Sequence, residues 1–93
     1  MTALDLTRAA VDVAKTANRT AFDALRQAMR IDLDAANAGD YDPQDEARNI
    51  AAIEDAVGIL NSTTATLHMA RMAYREALLA DRRAALDTTK EIA

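Results

Sequence analysis

The stretch Ala38-Gly39-Asp40-Tyr41-Asp42-Pro43-Gln44-Asp45-Glu46 decides the fold, because it sets a helix stop directly against a helix start. Gly39 follows a long helical pattern and suits the left-handed C′ position at which helices end. Asp42 reads as an N-cap, Pro43 as the first helical residue and Asp45 as the acidic third position. Glu46 adds a carboxylate in the first turn, where the helix dipole favours negative charge. So short a connection between two long helical patterns makes an antiparallel hairpin. The expected organisation is one all-α domain over 1–93, with helix 1 at about 4–37, a turn at 38–42 and helix 2 at about 43–89.

Upstream of the turn, small residues recur at alternating steps of four and three: Ala10, Ala14, Ala17, Ala21, Ala24, Ala28, Ile31 and Ala35. A bulkier row, Leu4, Val11, Phe22, Leu25 and Met29, runs beside them. The opposite face alternates in charge, which predicts ion pairs Arg8–Asp12, Arg19–Asp23 and Arg30–Asp34 at i,i+4. Downstream, Ala52, Ala56, Ile59, Thr63, Thr66, Ala70, Ala73, Ala77, Ala80 and Ala84 form a second small-residue row. Ile53, Leu60, Leu67 and Tyr74 recur every seven residues beside it. The stretch Asn61-Ser62-Thr63-Thr64-Ala65-Thr66 forms helix poorly and Gly58 precedes it, yet the register passes through unchanged. One continuous second helix is therefore expected.

The arms are unequal. At a rise of 1.5 Å per residue, helix 1 spans about 50 Å and helix 2 about 70 Å. Helix 1 can cover helix 2 only to about residue 77, so the segment with Asp81-Arg82-Arg83-Ala84-Ala85-Leu86 overhangs. Two helices also share one seam, whereas each carries two apolar rows. A homodimeric four-helix bundle, or a higher oligomer, is the expected solution.

Composition narrows the function. Half of the 93 residues are apolar, but alanine dominates and only Phe22, Tyr41 and Tyr74 are aromatic. Alanine buries little area, so the core is thin for each residue ordered. The absence of cysteine removes disulfides and thiolate metal sites. No apolar run approaches the roughly 20 residues of a membrane span, and the N-terminus lacks the basic-then-apolar order of a signal peptide. A cytoplasmic location is the default expectation, with signal-less secretion left open. The net charge is −4. The excess gathers at the tip, where Asp32, Asp34, Asp40, Asp42, Asp45 and Glu46 occur with no base between Arg30 and Arg48. Nucleic-acid binding wants a basic stripe, which is missing.

Few residues could carry chemistry. Folding about the turn sets residue i opposite roughly 81 minus i, which brings Asn18 and Thr20 to the level of Asn61, Thr63 and Thr64. Such a polar layer fixes register and partner number in coiled coils; the alternative is a pocket for a small ligand. His68 follows Thr64 by one turn, but no acid is placed to orient its ring as a nucleophile–base pair requires. Helix 1 has no glutamate, so a bundle di-iron site is excluded. A calcium loop begun at Asp32 puts Asn37 where glycine belongs and Pro43 where glutamate belongs. Neither catalytic residues, a cofactor nor a metal is expected. Arg71, Arg75, Arg82 and Arg83 share one side of helix 2, interrupted by Glu76 and Asp81, and read as a solvated face.

In plan, the Asp42-Pro43 opening of helix 2 and the polar Asn61–Thr66 stretch resemble the needle and inner-rod subunits of type III secretion. The extended C-terminus departs from that plan. Secreted WXG100 hairpins share it too, but their Trp-x-Gly turn is absent because the chain has no tryptophan. No family is assigned on these residues. The expected function is non-enzymatic: binding or sequestering through bundle surfaces, as an inhibitor or adaptor of a protein partner, of the kind phage use against host factors. The alternatives are a structural subunit of a filament or secretion apparatus, and an oligomer that binds a nucleotide or metabolite. Expected partners are a second copy and a protein docked through Asp32, Asp34, Asp40, Tyr41, Asp42, Asp45 and Glu46, with neither nucleic acid nor membrane.

Overall fold

The computed structural model describes residues 1–39 and 42–92. Asp40 and Tyr41, two of the tip residues singled out above, lie outside the described residues. Two helices, α1 (Ala3–Asn37) and α2 (Pro43–Ile92), pack against each other as a hairpin.

Each helix end has a local cause. At the start of α1 the Thr2 hydroxyl accepts from the Asp5 backbone N–H at 3.1 Å, and the Asp5 carboxylate accepts from the Thr2 N–H at 3.3 Å. This capping box is signalled by Thr2-x-x-Asp5 in the sequence, a cue the apolar periodicity alone passes over. Hydrogen bonding to the carboxylate from the Thr2 side chain, and then from the Thr2 backbone N–H, holds the Asp5 carboxyl below its usual range. At the other end the Ala38 N–H reaches the Asp34 carbonyl at 3.0 Å. Gly39 then turns the chain with φ +76°, a left-handed conformation that glycine adopts without a Cβ penalty. Asp42 opens α2: its carboxylate accepts from the Gln44 N–H at 2.9 Å and its carbonyl from the Glu46 N–H at 3.0 Å.

α2 runs unbroken through Asn61–Thr66. The Thr63 and Thr66 hydroxyls donate to the Leu60 and Ser62 carbonyls, at 3.0 and 3.1 Å, inside the helix. Hydroxyls that could have offered the backbone a rival bonding pattern are thereby absorbed by it.

A strict three–four alternation marks the seam. On α1 the residues drawn out of solvent are Leu4, Thr7, Val11, Ala14, Asn18, Ala21, Leu25, Ala28, Asp32 and Ala35. On α2 they are Asn49, Ile53, Ala56, Leu60, Thr63, Leu67, Ala70, Tyr74, Ala77 and Leu78. The seam thus takes alternate members of the two small-residue rows as far as Ala77 and the whole Ile53, Leu60, Leu67, Tyr74 row. Ala10, Ala17, Ala24 and Ile31 remain exposed along one flank of α1, and Phe22 and Met29 along the other. The seam keeps the 3.5-residue period of the rows but is rotated about α1, so it shares Ala14, Ala21, Ala28 and Ala35 with the small row and takes Val11, Asn18, Leu25 and Asp32 in place of the others.

The hydrogen bond between Asn18 and Thr63 fixes the register. Extended along the seam, it sets Ala14 level with Leu67, Ala21 with Leu60, Ala28 with Ile53, Leu25 with Ala56 and Val11 with Ala70. A large side chain of one helix meets a small one of the other in each of these layers, so the helices approach closely without voids. At the open end the Arg8 guanidinium lies 5.9 Å from the Tyr74 ring centroid, a cation–π contact tying the start of α1 to α2. Tyr74 also raises the Arg8 pKa, chiefly through a side-chain hydrogen bond. The expected helix-1 ion pairs are not closed. Among the described residues the one pair within 4 Å is Arg48–Asp45, at 3.6 Å.

The seam buries very little. Among the described residues only Ala14, Ala21, Ala56 and Leu67 are buried, and none is wholly withdrawn from solvent. The particle measures 77 × 18 × 15 Å with a radius of gyration of 21.7 Å, against about 12 Å for a compact chain of this length. Its accessible surface is 7372 Å², whereas a compact monomer of 10.0 kDa exposes about 5,200 Å².

Candidate functional site: the tip groove and the central polar layer

Two places concentrate the residues singled out in the sequence. The first is the turn end of the hairpin. A groove of about 850 Å³ runs along α1 there, lined by Met29, Leu33, Ala36 and Ile53 and flanked by Asp23, Arg26, Arg30 and Asp32. A smaller cavity of about 200 Å³ adjoins it, sharing Asp32 and Ala36. Asp42, Asp45, Glu46 and Asn49 complete its wall. Asp32 belongs to the seam and is half-buried, whereas Asp34, Asp42, Asp45 and Glu46 are exposed.

Four of the acids expected at the tip, Asp32, Asp42, Asp45 and Glu46, therefore share one rim. Asp34 is not among them, since it lies two residues from Asp32 and so on another side of α1. Asp45 is engaged with Arg48, and Asp42 caps α2. No three acidic or histidine side chains among the described residues converge to hold a metal ion. These acids wall the smaller cavity beside the apolar groove, whose own charged neighbours are Asp23, Asp32, Arg26 and Arg30. Met29, Leu33 and Ala36 follow at i, i+4 and i+7 on α1, and the fold adds Ile53 from α2.

The second place is the middle of the seam. The Asn18 side-chain amide donates to the Thr63 hydroxyl at 3.1 Å and to the Thr64 hydroxyl at 2.9 Å. Thr63 in turn donates to the Leu60 carbonyl. Thr20 and Asn61 make no contact with this layer: both are exposed, and Thr20 stands two residues from the seam position, with Asn61 likewise two from Thr63. Bonding within the layer leaves both amide hydrogens of Asn18 committed, so little is offered to a ligand. Thr64 is engaged as an acceptor only. Its hydroxyl accepts from Asn18, while His68, one turn on, is exposed.

Large apolar side chains occupy much of the remaining surface: Leu6, Val13, Phe22, Ile31, Val57, Ile59, Met69, Met72, Leu79 and Leu86 are all exposed. Those from Val57 to Leu86 lie on several sides of α2 rather than on one, the pattern of a helix covered from more than one direction. No described helix is long and apolar enough to cross a membrane. No family model matches the chain, and no curated protein or solved structure matches it either.

Proposed function

We propose that the protein acts by association: the hairpin is half of a homodimeric four-helix bundle, and the assembled surface holds a protein partner without chemistry. One observation carries this reading. The single chain exposes 7372 Å², some 2,100 Å² more than a compact chain of its mass, taken as about 5,200 Å². Much of the excess is apolar, with Phe22 and Met29 half exposed at 50% and 54%. A stable protein–protein interface takes up about 800 Å² on each partner, and obligate dimers more. The surplus is of the size that a second copy removes.

Light scattering and sedimentation across a wide concentration range test it. A particle of twice the 10.0 kDa chain mass is expected down to micromolar concentration, and a monomer throughout would overturn the reading. Affinity capture on the immobilised dimer then identifies the partner.

The overhang of α2 favours a second reading, in which hairpins polymerise end to end as a filament subunit. Open head-to-tail contacts do not close, so the mass would grow with concentration. A fixed small oligomer at every concentration rules that reading out.

A further inference from the structure

We propose that two hairpins pair antiparallel and that the C-terminal overhang of each fills the apolar groove beside the acidic cavity at the other's tip. The inference rests on the self-association proposed above and specifies its geometry. The overhang begins where α1 runs out. With residue i level with 81 minus i, Ala3 stands opposite Leu78, so 79–92 extends alone as about 21 Å of helix. On one side of that segment Leu79, Arg82, Arg83 and Leu86 follow at i, i+3, i+4 and i+7. The strip reads apolar, basic, basic, apolar, with Asp87 on its flank and Asp81 on the opposite side. Leu79 and Leu86 are exposed at 41% and 62%.

The tip groove is the complement of that strip. Met29, Leu33, Ala36 and Ile53 supply an apolar floor, and the smaller cavity beside it, which shares Asp32 and Ala36 with the groove, adds the carboxylates of Asp42, Asp45 and Glu46 on the turn side. Arg26 and Arg30 flank the groove as well, so the acid excess lies on the side nearest the turn. Lengths agree. A second copy turned end for end along the 77 Å particle sets its tip level with this C-terminus. Its α1 then runs parallel to the overhang, because both run towards that tip. Leu79 to Leu86 and Met29 to Ala36 are each seven residues, about 10 Å, so two leucines on one helix meet both ends of the floor on the other. The two copies together carry about 4,000 Å² of surplus surface, within the range of obligate homodimers. The amphipathic helix that the groove is shaped to receive is therefore already present in the chain.

The absence of cysteine makes the test direct. Chains carrying Leu86→Cys and chains carrying Leu33→Cys are mixed, oxidised, and compared with each variant alone. The mixed disulfide is expected to dominate, and the Leu86→Cys chain alone should crosslink poorly, because its two copies lie at opposite ends of the particle. Preferential 86–86 and 33–33 disulfides would mean parallel pairing and overturn the inference. A second arm leaves the leucines in place. R82E/R83E should raise the dimer dissociation constant by at least ~10-fold at unchanged helicity, and mixing with D45K/E46K chains should restore association as a heterodimer. A dimer indifferent to these changes, or one whose groove takes up an added unrelated basic amphipathic peptide, overturns the overhang docking while leaving self-association intact. A wild-type monomer at every concentration overturns both.

Discussion

Asn18 on α1 donates both hydrogens of its side-chain amide across the seam, to Thr63 at 3.1 Å and Thr64 at 2.9 Å. These are polar contacts across a seam otherwise held by apolar side chains and the Arg8–Tyr74 stack, and they fix which residue of α1 faces which of α2. A single asparagine at such a position sets register at some cost in stability. Asn18→Leu should therefore raise the urea midpoint, since Thr63 keeps its bond to the Leu60 carbonyl. The same variant should broaden the distribution of oligomers in sedimentation, because sliding the helices no longer strands an amide. A variant that gains stability and stays as uniform as the parent would show that register is set elsewhere.

The two glycines should respond in opposite directions. Gly39 holds φ +76°, and a Cβ built there meets nothing within 4 Å. The cost of Gly39→Ala is therefore conformational, about 1–2 kcal/mol for placing an L-residue in the left-handed region. Asparagine, which tolerates that region, should restore part of the loss. Gly58 lies within α2 with open space around it, so Gly58→Ala should stabilise by about 0.5–1 kcal/mol. Urea denaturation of the three variants checks all of this. If Gly58→Ala destabilises, another chain packs closely against that site in the assembled protein.

The hairpin, its turn and its continuous second helix were legible because each depends on short-range chemistry. Gly39, Asp42 and Pro43 act within a few residues of themselves, and seven-residue periodicity survives the unfavourable Asn61–Thr66 stretch. The 81-minus-i pairing followed from the turn position, and Asn18–Thr63 obeys it. The choice of seam was harder to read. Both helices carry more apolar positions than one partner can cover, and sequence rows do not say which half faces inward. Thr20 was placed in the polar layer by level alone, whereas facing needs the angular position as well. In the groove floor Met29 and Leu33 are neighbours at i,i+4 on α1, whereas Ile53 joins them only through the fold. Asp40 and Tyr41 lie outside the described residues.

Leu67 is the only large side chain among the four buried residues, at 7% exposure, and it stands level with Ala14. Truncating it removes a leucine's burial and opens a cavity against an alanine that cannot fill it. Leu67→Ala should cost about 2–5 kcal/mol, a large fraction of the 5–15 kcal/mol typical of small domains. Loss of helical circular dichroism at physiological temperature is the expected outcome. Leu86→Ala, in the overhang, should leave the single hairpin's helicity nearly unchanged and instead weaken association at low concentration. Equal thermal losses from both substitutions at a concentration where the protein is monomeric would mean that the overhang packs within its own chain.

The capping box at the start of α1 makes a prediction in pH. Hydrogen bonding with Thr2 holds the Asp5 carboxyl below its ordinary value, which is about 3.9 for aspartate in an unfolded chain. A carboxyl whose pKa is depressed by folding contributes stability above its unfolded value and loses it as pH falls through the folded one. The first turn should therefore hold from neutral pH down to about 5 and fray progressively below about 4. Amide exchange at Leu4, Asp5 and Leu6 reports the fraying, and an NMR titration of the Asp5 carboxyl reports its cause. In Thr2→Ala the hydroxyl is lost both as a hydrogen-bond partner of the Asp5 carboxylate and as the acceptor for the Asp5 N–H, so the carboxyl should titrate nearer its ordinary value and the first turn should exchange faster even at neutral pH. An Asp5 titration that does not move in Thr2→Ala would sink this account, leaving the helix dipole as the source of the shift.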